Sequence, residues 1–103
     1  MIHEVKNDDL GGAKGAKLAV LDFNATWCGP CKMLGPILAE VSEEMKDVAE
    51  FYGIDVDENQ ELAGEYGVQS IPTLVLLKNG QKVDQKIGFM PKENIVDFIR
   101  SAN

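Results

Sequence analysis

The sequence predicts an α/β fold in which one mixed β-sheet is flanked by helices. Strand-like apolar runs alternate with helical patterns through most of the chain, which is typical of parallel strands joined by helical crossovers. A strong hairpin signal, Asn79-Gly80, then separates the last two strands and makes them antiparallel. At 103 residues, the chain is expected to form a single domain over residues 1–103.

The first three predicted elements are an edge strand, a helical turn and a central strand. Residues 2–5 are predicted as the edge strand. Residues 8–14 lie among closely spaced glycines, which disfavour a long helix, so only a short or irregular turn is expected. Residues 17–25 are mostly apolar at successive positions, as a strand buried on both faces requires.

A long amphipathic helix is predicted to begin near Pro30, because proline is compatible with the first turn of a helix. Apolar residues recur three and four positions apart, and acidic residues mostly occupy the opposite face. Pro36 lies inside this helix and is expected to kink it, because proline lacks the backbone donor. The apolar positions are Leu34, Ile37, Leu38, Val41 and Met45.

A strand and a short helix are predicted next, at residues 48–55 and 59–66. Asn59 is expected to cap this helix, since asparagine is a favoured N-cap residue. Residues 73–78 and 82–87 are predicted as the two strands of the hairpin. The final amphipathic helix is predicted over residues 91–101, and its inward-facing positions are Ile95, Phe98 and Ile99.

The chain is acidic, with 17 Asp and Glu against 10 Lys and Arg and a formal net charge of −7. Such a surface repels phosphates and anionic lipids, so neither nucleic acid nor a membrane is expected as a partner. We interpret the charge as a solubility feature in preference to a means of steering a partner. The first residues lack the apolar core of a signal peptide, and no apolar run reaches the length of a membrane span. A cytoplasmic location is therefore expected.

Cys28 and Cys31 are the only two cysteines in the chain. A disulfide between them closes too short a loop to stabilise a fold appreciably, so the pair indicates chemistry. At this spacing one sulfur can attack a foreign disulfide while the second lies close enough to release it. The alternative is half of a zinc site, but zinc prefers four ligands and the only histidine, His3, is distant along the chain. No metal is therefore expected.

The chain resembles the thioredoxin family along nearly its whole length. Four features match in order: Asp22 six residues before the first cysteine, Trp-Cys-Gly-Pro-Cys-Lys at residues 27–32, Ile-Pro-Thr at 71–73, and Gly88 after the hairpin. The resemblance implies a thioredoxin fold, which is a mixed five-stranded sheet flanked by four helices. It also implies that the peptide bond before Pro72 is cis and that this proline faces the dithiol.

The resemblance further implies disulfide reduction through the two cysteines, with no bound cofactor because the cysteines carry the electrons. Cys28 is expected at the N-terminal end of a helix, where free N–H groups favour a thiolate and lower the pKa of a thiol. Cys31, one turn further in, is expected to be more buried and to stay protonated. Cys28 is thus interpreted as the nucleophile and Cys31 as the resolving thiol. Gly29 and Pro30 supply no cation, which favours a reductant.

Asp22 lies in the apolar run of residues 18–23, where burial disfavours the carboxylate and raises its pKa. In the family that the chain resembles, this aspartate relays a proton to or from the resolving thiol through water. Asp22 is therefore predicted to act as the general base for Cys31. The alternative is a solvated carboxyl at the end of a strand.

An apolar rim for a client protein is predicted around Cys28, where an extended substrate would pair with the backbone beside Pro72. Ordinary core packing is an equal alternative for Ile71 and Phe89. Met90, next to the rim, fits either environment. The substrate-binding residues that the resemblance implies are Trp27, Gly29, Pro30, Ile71, Pro72, Gly88 and Phe89.

Two positions near Asp22 depart from the common pattern of the family. Asn24 stands where many members carry an aromatic residue, usually tryptophan, and Gly53 stands where many have a lysine. Asn24 is expected to leave more room or more water behind Trp27. Without a nearby ammonium to favour the anion, the pKa of Asp22 is predicted to be higher than in lysine-bearing relatives.

The function implied by the resemblance is that of a general protein-disulfide reductase acting as a monomer. Its expected partners are disulfide-containing client proteins and thioredoxin reductase, which returns electrons to the dithiol. Two alternatives remain open. One is a reductant dedicated to a single client or pathway, which the departures at Asn24 and Gly53 favour. The other is a docking module whose function survives the loss of either cysteine.

Overall fold

The computed structural model describes residues 1–102. Within them, five strands form one sheet. The strands are β1 Ile2–Glu4, β2 Leu18–Asn24, β3 Glu50–Asp55, β4 Thr73–Lys78 and β5 Gln81–Ile87. Their spatial order is β1-β3-β2-β4-β5. The first three of these run parallel, whereas β4 is antiparallel to both of its neighbours. The predicted mixed sheet of five strands is therefore confirmed.

Three α-helices and one short 3₁₀ helix flank the sheet within the described residues. The 3₁₀ helix, Gly11–Lys14, is the short turn that the glycine-rich sequence predicts, and it stands in place of a fourth α-helix. The long helix that begins at the two-cysteine segment continues through Pro36 without ending there. The α-helices are α1 Gly29–Glu44, α2 Gln60–Glu65 and α3 Lys92–Ser101. In this part of the chain, no helix combines the length and the apolar character needed to cross a membrane.

Two apolar cores, one on each face of the sheet, share the central strand β2. Leu18 and Val20 pack with α1 and α3, whereas Leu21 and Phe23 pack on the opposite face with α2 and the 3₁₀ helix. These four side chains are at most 5% exposed, which explains the continuous apolar run. Asp22 is in phase with Leu18 and Val20, so its carboxyl lies on the face that α1 covers.

Strand β3 begins two residues later than predicted. The backbone N–H groups of Val48 and Ala49 both donate to the carbonyl of Met45, at 2.9 and 3.1 Å. These bonds extend the turn after α1 and keep residue 48 out of the sheet. The predicted hairpin is confirmed, with positive φ at both turn residues, Asn79 and Gly80.

The prediction that the side chain of Asn59 caps α2 is wrong. Asn59 occupies the N-cap position, but its side chain makes no capping bond and is completely buried. Its Nδ2 donates to the carbonyls of Val5 and Asp55, and its Oδ1 accepts from the N–H of Asp8. The carboxylate of Asp8 instead accepts from the N–H of Leu62 in the first turn of α2, at 3.0 Å. A residue distant in sequence thus caps this helix.

Candidate active site

The cysteine pair lies where β2 ends and α1 begins. Cys28 is the N-cap residue of α1, in an extended conformation, and Pro30 lies within the first turn. The Sγ of Cys28 accepts a hydrogen bond from the backbone N–H of Cys31 at 3.2 Å. Cys28 and Cys31 form a disulfide whose Cα atoms are 5.3 Å apart. The sulfur of Cys28 therefore lies at the positive end of a 16-residue helix.

The predicted difference in burial between the two cysteines is wrong. Cys28 is 5% exposed and Cys31 is 8% exposed, so both are buried in the disulfide form. The two cysteines form a small buried cluster with Ala25, and Val56 and Ile71 pack against this cluster. Burial therefore does not distinguish the two cysteines in the disulfide form, and the difference between them is that Cys28 occupies the N-cap position of α1.

Asp22 is a buried carboxyl inside β2, not a solvated one at the end of a strand. It is only 8% exposed. Its Oδ2 accepts a hydrogen bond from Asn24 Nδ2 at 3.3 Å, and its buried Oδ1 has no hydrogen-bond partner among residues 1–102. Burial raises the pKa of Asp22 to about 6, and the hydrogen bond from Asn24 opposes this shift.

A cleft joins the buried carboxyl to the second cysteine. It is open to solvent and has a volume of about 230 Å³. Asp22 and Cys31 both line it, so the buried carboxyl and the second cysteine border the same solvent-open space. The remaining lining residues are Asn24, Ala25, Lys32 and Gly35.

Gly53 lies beside Asp22 across the parallel pairing of β2 with β3. A Cβ added at Gly53 would lie 3.4 Å from Ile2 Cγ2 and 3.9 Å from Asn24 Nδ2. Position 53 thus faces the amide of Asn24, on the same side of the sheet as Asp22. With glycine there, β3 supplies no ammonium to this carboxyl.

Trp27, directly before the first cysteine, is 68% exposed. Its indole Nε1–H donates to Asp57 Oδ2 at 2.8 Å, which fixes one edge of the ring. Asp57 is not among the site residues predicted from the sequence. A signal for it was present, because Asp57 follows β3 closely and the carboxyl ends of the parallel strands β2 and β3 meet at one edge of the sheet.

The loop before β4 has the cis peptide bond that the resemblance implies, between Ile71 and Pro72. Ile71 is half-buried and packs against the cysteine pair. The backbone N–H of Gly88 donates to the carbonyl of Pro72 at 2.8 Å, and Gly88 has a φ of +95°. This bond connects the start of β4 to the residue that follows β5.

The other residues predicted for the rim divide into exposed and buried groups. Gly29 and Pro30 are exposed at the start of α1. Phe89 is 42% exposed, so core packing is wrong for this side chain. Met90 is 8% exposed and belongs to the core on the α1 face. The chain therefore turns from surface to core between residues 89 and 90.

Comparisons with known proteins agree on one family. The family model described as Thioredoxin matches residues 7–101. The chain is 53% identical to thioredoxin of Bacillus subtilis over 87 residues, which cover 84% of this chain and 82% of the relative. It is 43% identical to thioredoxin of Staphylococcus aureus over 98 residues, or 95% of this chain and 94% of the relative.

Solved structures give the same result. Thioredoxin of Malassezia sympodialis superposes with a TM-score of 0.88 at 38% identity, over 98% of this chain and 90% of the other. A mutant thioredoxin of Halobacterium salinarum also superposes with a TM-score of 0.88 at 38% identity, over 96% of this chain and 88% of the other. The predicted resemblance and the predicted fold are both confirmed.

Proposed function

Because this chain belongs to the thioredoxin family, whose members are disulfide oxidoreductases that act on disulfide client proteins, we propose that it reduces client disulfides with Cys28 as the attacking group. The observation that supports this role most directly is the bond from the Cys31 N–H to Cys28 Sγ at the start of α1. In the reduced protein the same N–H and the helix dipole favour a thiolate at Cys28.

The first step is attack of the Cys28 thiolate on one sulfur of the client disulfide. A bond forms between Cys28 and that sulfur, the client S–S bond breaks, and the second client sulfur leaves as a thiolate that takes a proton from solvent. The product is a mixed disulfide between Cys28 and the client.

The second step is release of the client by Cys31. Asp22, with a pKa of about 6, is mostly ionised at pH 7 and accepts the proton of the Cys31 thiol through the cleft that both line. The Cys31 thiolate attacks Cys28, the bond from Cys28 to the client breaks, and the departing client thiolate takes a proton. Two electrons have then passed from the dithiol to the client.

The client is held by an apolar surface next to the disulfide. Trp27, Ile71 and Phe89 offer exposed or half-exposed apolar area, and Trp27 is held by Asp57. An extended client segment would pair with the backbone beside Pro72, with Gly29, Pro30 and Gly88 completing the contact. Short pairing of this kind suits transient binding to many different clients.

Recycling requires an electron donor, and we assign this role to thioredoxin reductase. The cysteines carry the electrons themselves, so the exchange needs no bound cofactor. The chain acts as a monomer in the cytoplasm, where a dithiol is kept reduced.

The test is reduction of insulin with dithiothreitol as the electron source, followed by turbidity. The wild-type protein is expected to accelerate precipitation strongly, and Cys28→Ser is expected to leave only the dithiothreitol background. Cys31→Ser is the matched control, since it keeps the nucleophile but cannot complete a turnover. A folded, reduced wild-type protein that gives no acceleration would overturn the proposal of a general reductase.

A further inference from the structure

Asn24 holds Asp22 through two contacts from one amide group. Its Nδ2 donates to the backbone carbonyl of Asp22 at 3.1 Å and to the carboxyl Oδ2 of the same residue at 3.3 Å. An amide nitrogen carries two hydrogens, so it can make both bonds at once. The Asn24 side chain is half-buried, which limits competition from water for these bonds.

No other side chain within residues 1–102 donates a hydrogen bond to this carboxyl. Opposite Asp22, β3 presents Gly53 and β4 presents Leu74. The remaining carboxyl oxygen, Oδ1, is buried without a partner. Among the described residues, Asn24 is therefore the only side chain that holds the Asp22 carboxyl.

The charged and titratable groups around Asp22 come from three other elements. Cys31 and Lys32 of α1 line the cleft with it, and Lys32 makes no ion pair with Asp22 in the described part of the chain. Asp55 of β3 pairs with Asn24 in register, and its carboxylate accepts the N–H of Asp57. Glu4 of β1 pairs with Gly53, and β3 separates it from β2.

We propose that Asn24 is a positioning residue for the proton relay: it holds the Asp22 carboxyl through Oδ2, in the cleft where Asp22 exchanges a proton with Cys31. This inference rests on the proposed function, in which Asp22 serves Cys31. Position 53 on β3 is a glycine and offers no charged group to this carboxyl, so the neutral amide of Asn24, two residues after Asp22, holds it instead.

The sign of the effect follows from the chemistry of the bond. An amide donor stabilises the carboxylate more than the neutral acid, so it lowers the pKa of Asp22 against the larger, opposite effect of burial. Removing the donor therefore raises that pKa and reduces the fraction of Asp22 that is ionised near neutral pH. Client release then slows, and it slows most at mildly acidic pH.

The experiment measures the release step itself. Reduced protein is mixed with dithiobis(nitrobenzoate), the disulfide of two thionitrobenzoate groups. Attack by Cys28 releases the first thionitrobenzoate, and attack by Cys31 on the mixed disulfide releases the second. The second release is followed by absorbance from pH 5 to 8. Asn24→Leu removes the donor at similar volume. It is expected to raise the midpoint of the pH profile by about 1 unit, which slows release about fivefold at pH 6 and about twofold at pH 7.

The double variant separates positioning from a structural effect. In the Asp22→Asn background, adding Asn24→Leu is expected to change neither the rate nor the profile. If Asn24→Leu leaves the midpoint of the otherwise wild-type protein unchanged, or slows release equally in both backgrounds, the inference is overturned. Asn24→Ala repeats the test should leucine fail to fit, with the melting temperature as a check on folding.

Two further variants identify the source of a failure. If Lys32→Gln moves the midpoint and Asn24→Leu does not, a charge on α1 governs the carboxyl and the inference is wrong. If Asp22→Asn alone does not slow release, the relay and the inference fall together. The proposed reduction of client disulfides through Cys28 is judged separately, by insulin reduction with Cys28→Ser.

Discussion

The starts of α1 and α2 lie at the same edge of the sheet, because each helix follows one of two parallel strands, β2 and β3. At α1 the N-cap is Cys28, whose sulfur accepts the N–H of Cys31. At α2 the carboxylate of Asp8 accepts the N–H of Leu62. The two helix starts use the same backbone donors, one to stabilise a reactive sulfur and the other to attach the N-terminal segment.

The difference lies in what surrounds each cap. The start of α1 is bordered by a solvent-open cleft with a buried carboxyl and by the exposed ring of Trp27. The start of α2 is bordered by Asn59, which is fully buried and bonded to the backbone of Val5 and Asp55. The start of α1 therefore combines a sulfur cap with a buried carboxyl oxygen that has no partner among the described residues, whereas the polar groups at the start of α2 are bonded to the backbone.

The largest effect predicted on the α1 side is the cost of ionising Asp22. Its pKa is raised from 3.8 to about 6 in the folded state. The folded protein therefore binds this proton more tightly than the unfolded chain, so the associated stability is present below pH 4 and is lost as the pH rises through 6. Relative to Asp22→Asn, the wild-type protein is expected to lose about 2 kcal/mol of unfolding free energy between pH 4 and 7.

Urea unfolding of the two proteins across this pH range measures the difference. A difference in unfolding free energy that stays constant with pH would mean that Asp22 titrates normally, and the contrast between the two helix starts would lose its electrostatic part. Both proteins should be kept in the disulfide form, so that the cysteines do not titrate.

A positive charge introduced on β3 tests whether a nearby charge changes the pKa of Asp22. Gly53→Lys is expected to lower the pKa of Asp22 by about 1 unit, since an opposite charge close to a carboxylate favours its ionised form. A side chain fits at this position, because its Cβ would be 3.4 Å from the nearest atom, Ile2 Cγ2. Carbon-detected NMR of the Asp22 carboxyl measures the shift, and Gly53→Met is the uncharged control. Equal shifts in the two variants would rule out an effect of charge.

A smaller loss is predicted at the second helix start. Asp8→Ala removes the cap of α2 and is expected to cost about 1 kcal/mol of unfolding free energy. Insulin reduction per folded molecule should remain unchanged, because α2 contributes no residue to the cleft. Asp9→Ala, at an adjacent residue that does not cap α2, is the control. A loss of activity in Asp8→Ala that Asp9→Ala does not share would show that the two helix starts are coupled.

The smallest effect on stability is predicted for Cys28→Ser. Serine is itself a favoured N-cap residue, so α1 should begin at the same place and the reduced variant should unfold within about 0.5 kcal/mol of the reduced wild-type protein. Comparing the two melting curves in reductant checks this. A large loss of stability would show that the sulfur of Cys28 holds the loop structurally, contrary to its assignment as a reactive group.

The sequence predicted best the features that depend on local pattern. Continuous apolar residues identified β2, spacing of three and four residues identified α1, and Asn79-Gly80 identified the hairpin. Each of these signals lies within the element it predicts, so no distant contact was needed to read it.

The errors concern partners that are distant in sequence. Asn59 was expected to cap its own helix, but Asp8 does so, across more than fifty residues. Asp57 was missed because its bond to Trp27 joins the segments that follow two different strands, β2 and β3. The two cysteines are buried in a cluster with Ala25, against which Val56 and Ile71 pack from distant parts of the chain. Local propensity does not contain this information, since packing between elements decides it.

The assignment of Cys28 as the attacking group is tested most directly by identifying which sulfur reacts first. Cys31→Ser and Cys28→Ser are each reduced and mixed with a peptide disulfide, and the mixed disulfide is located by mass spectrometry over time. We expect rapid formation on Cys28 in Cys31→Ser and little or none on Cys31 in Cys28→Ser. Equal rates on the two sulfurs would show that the N-cap position of α1 does not select the nucleophile.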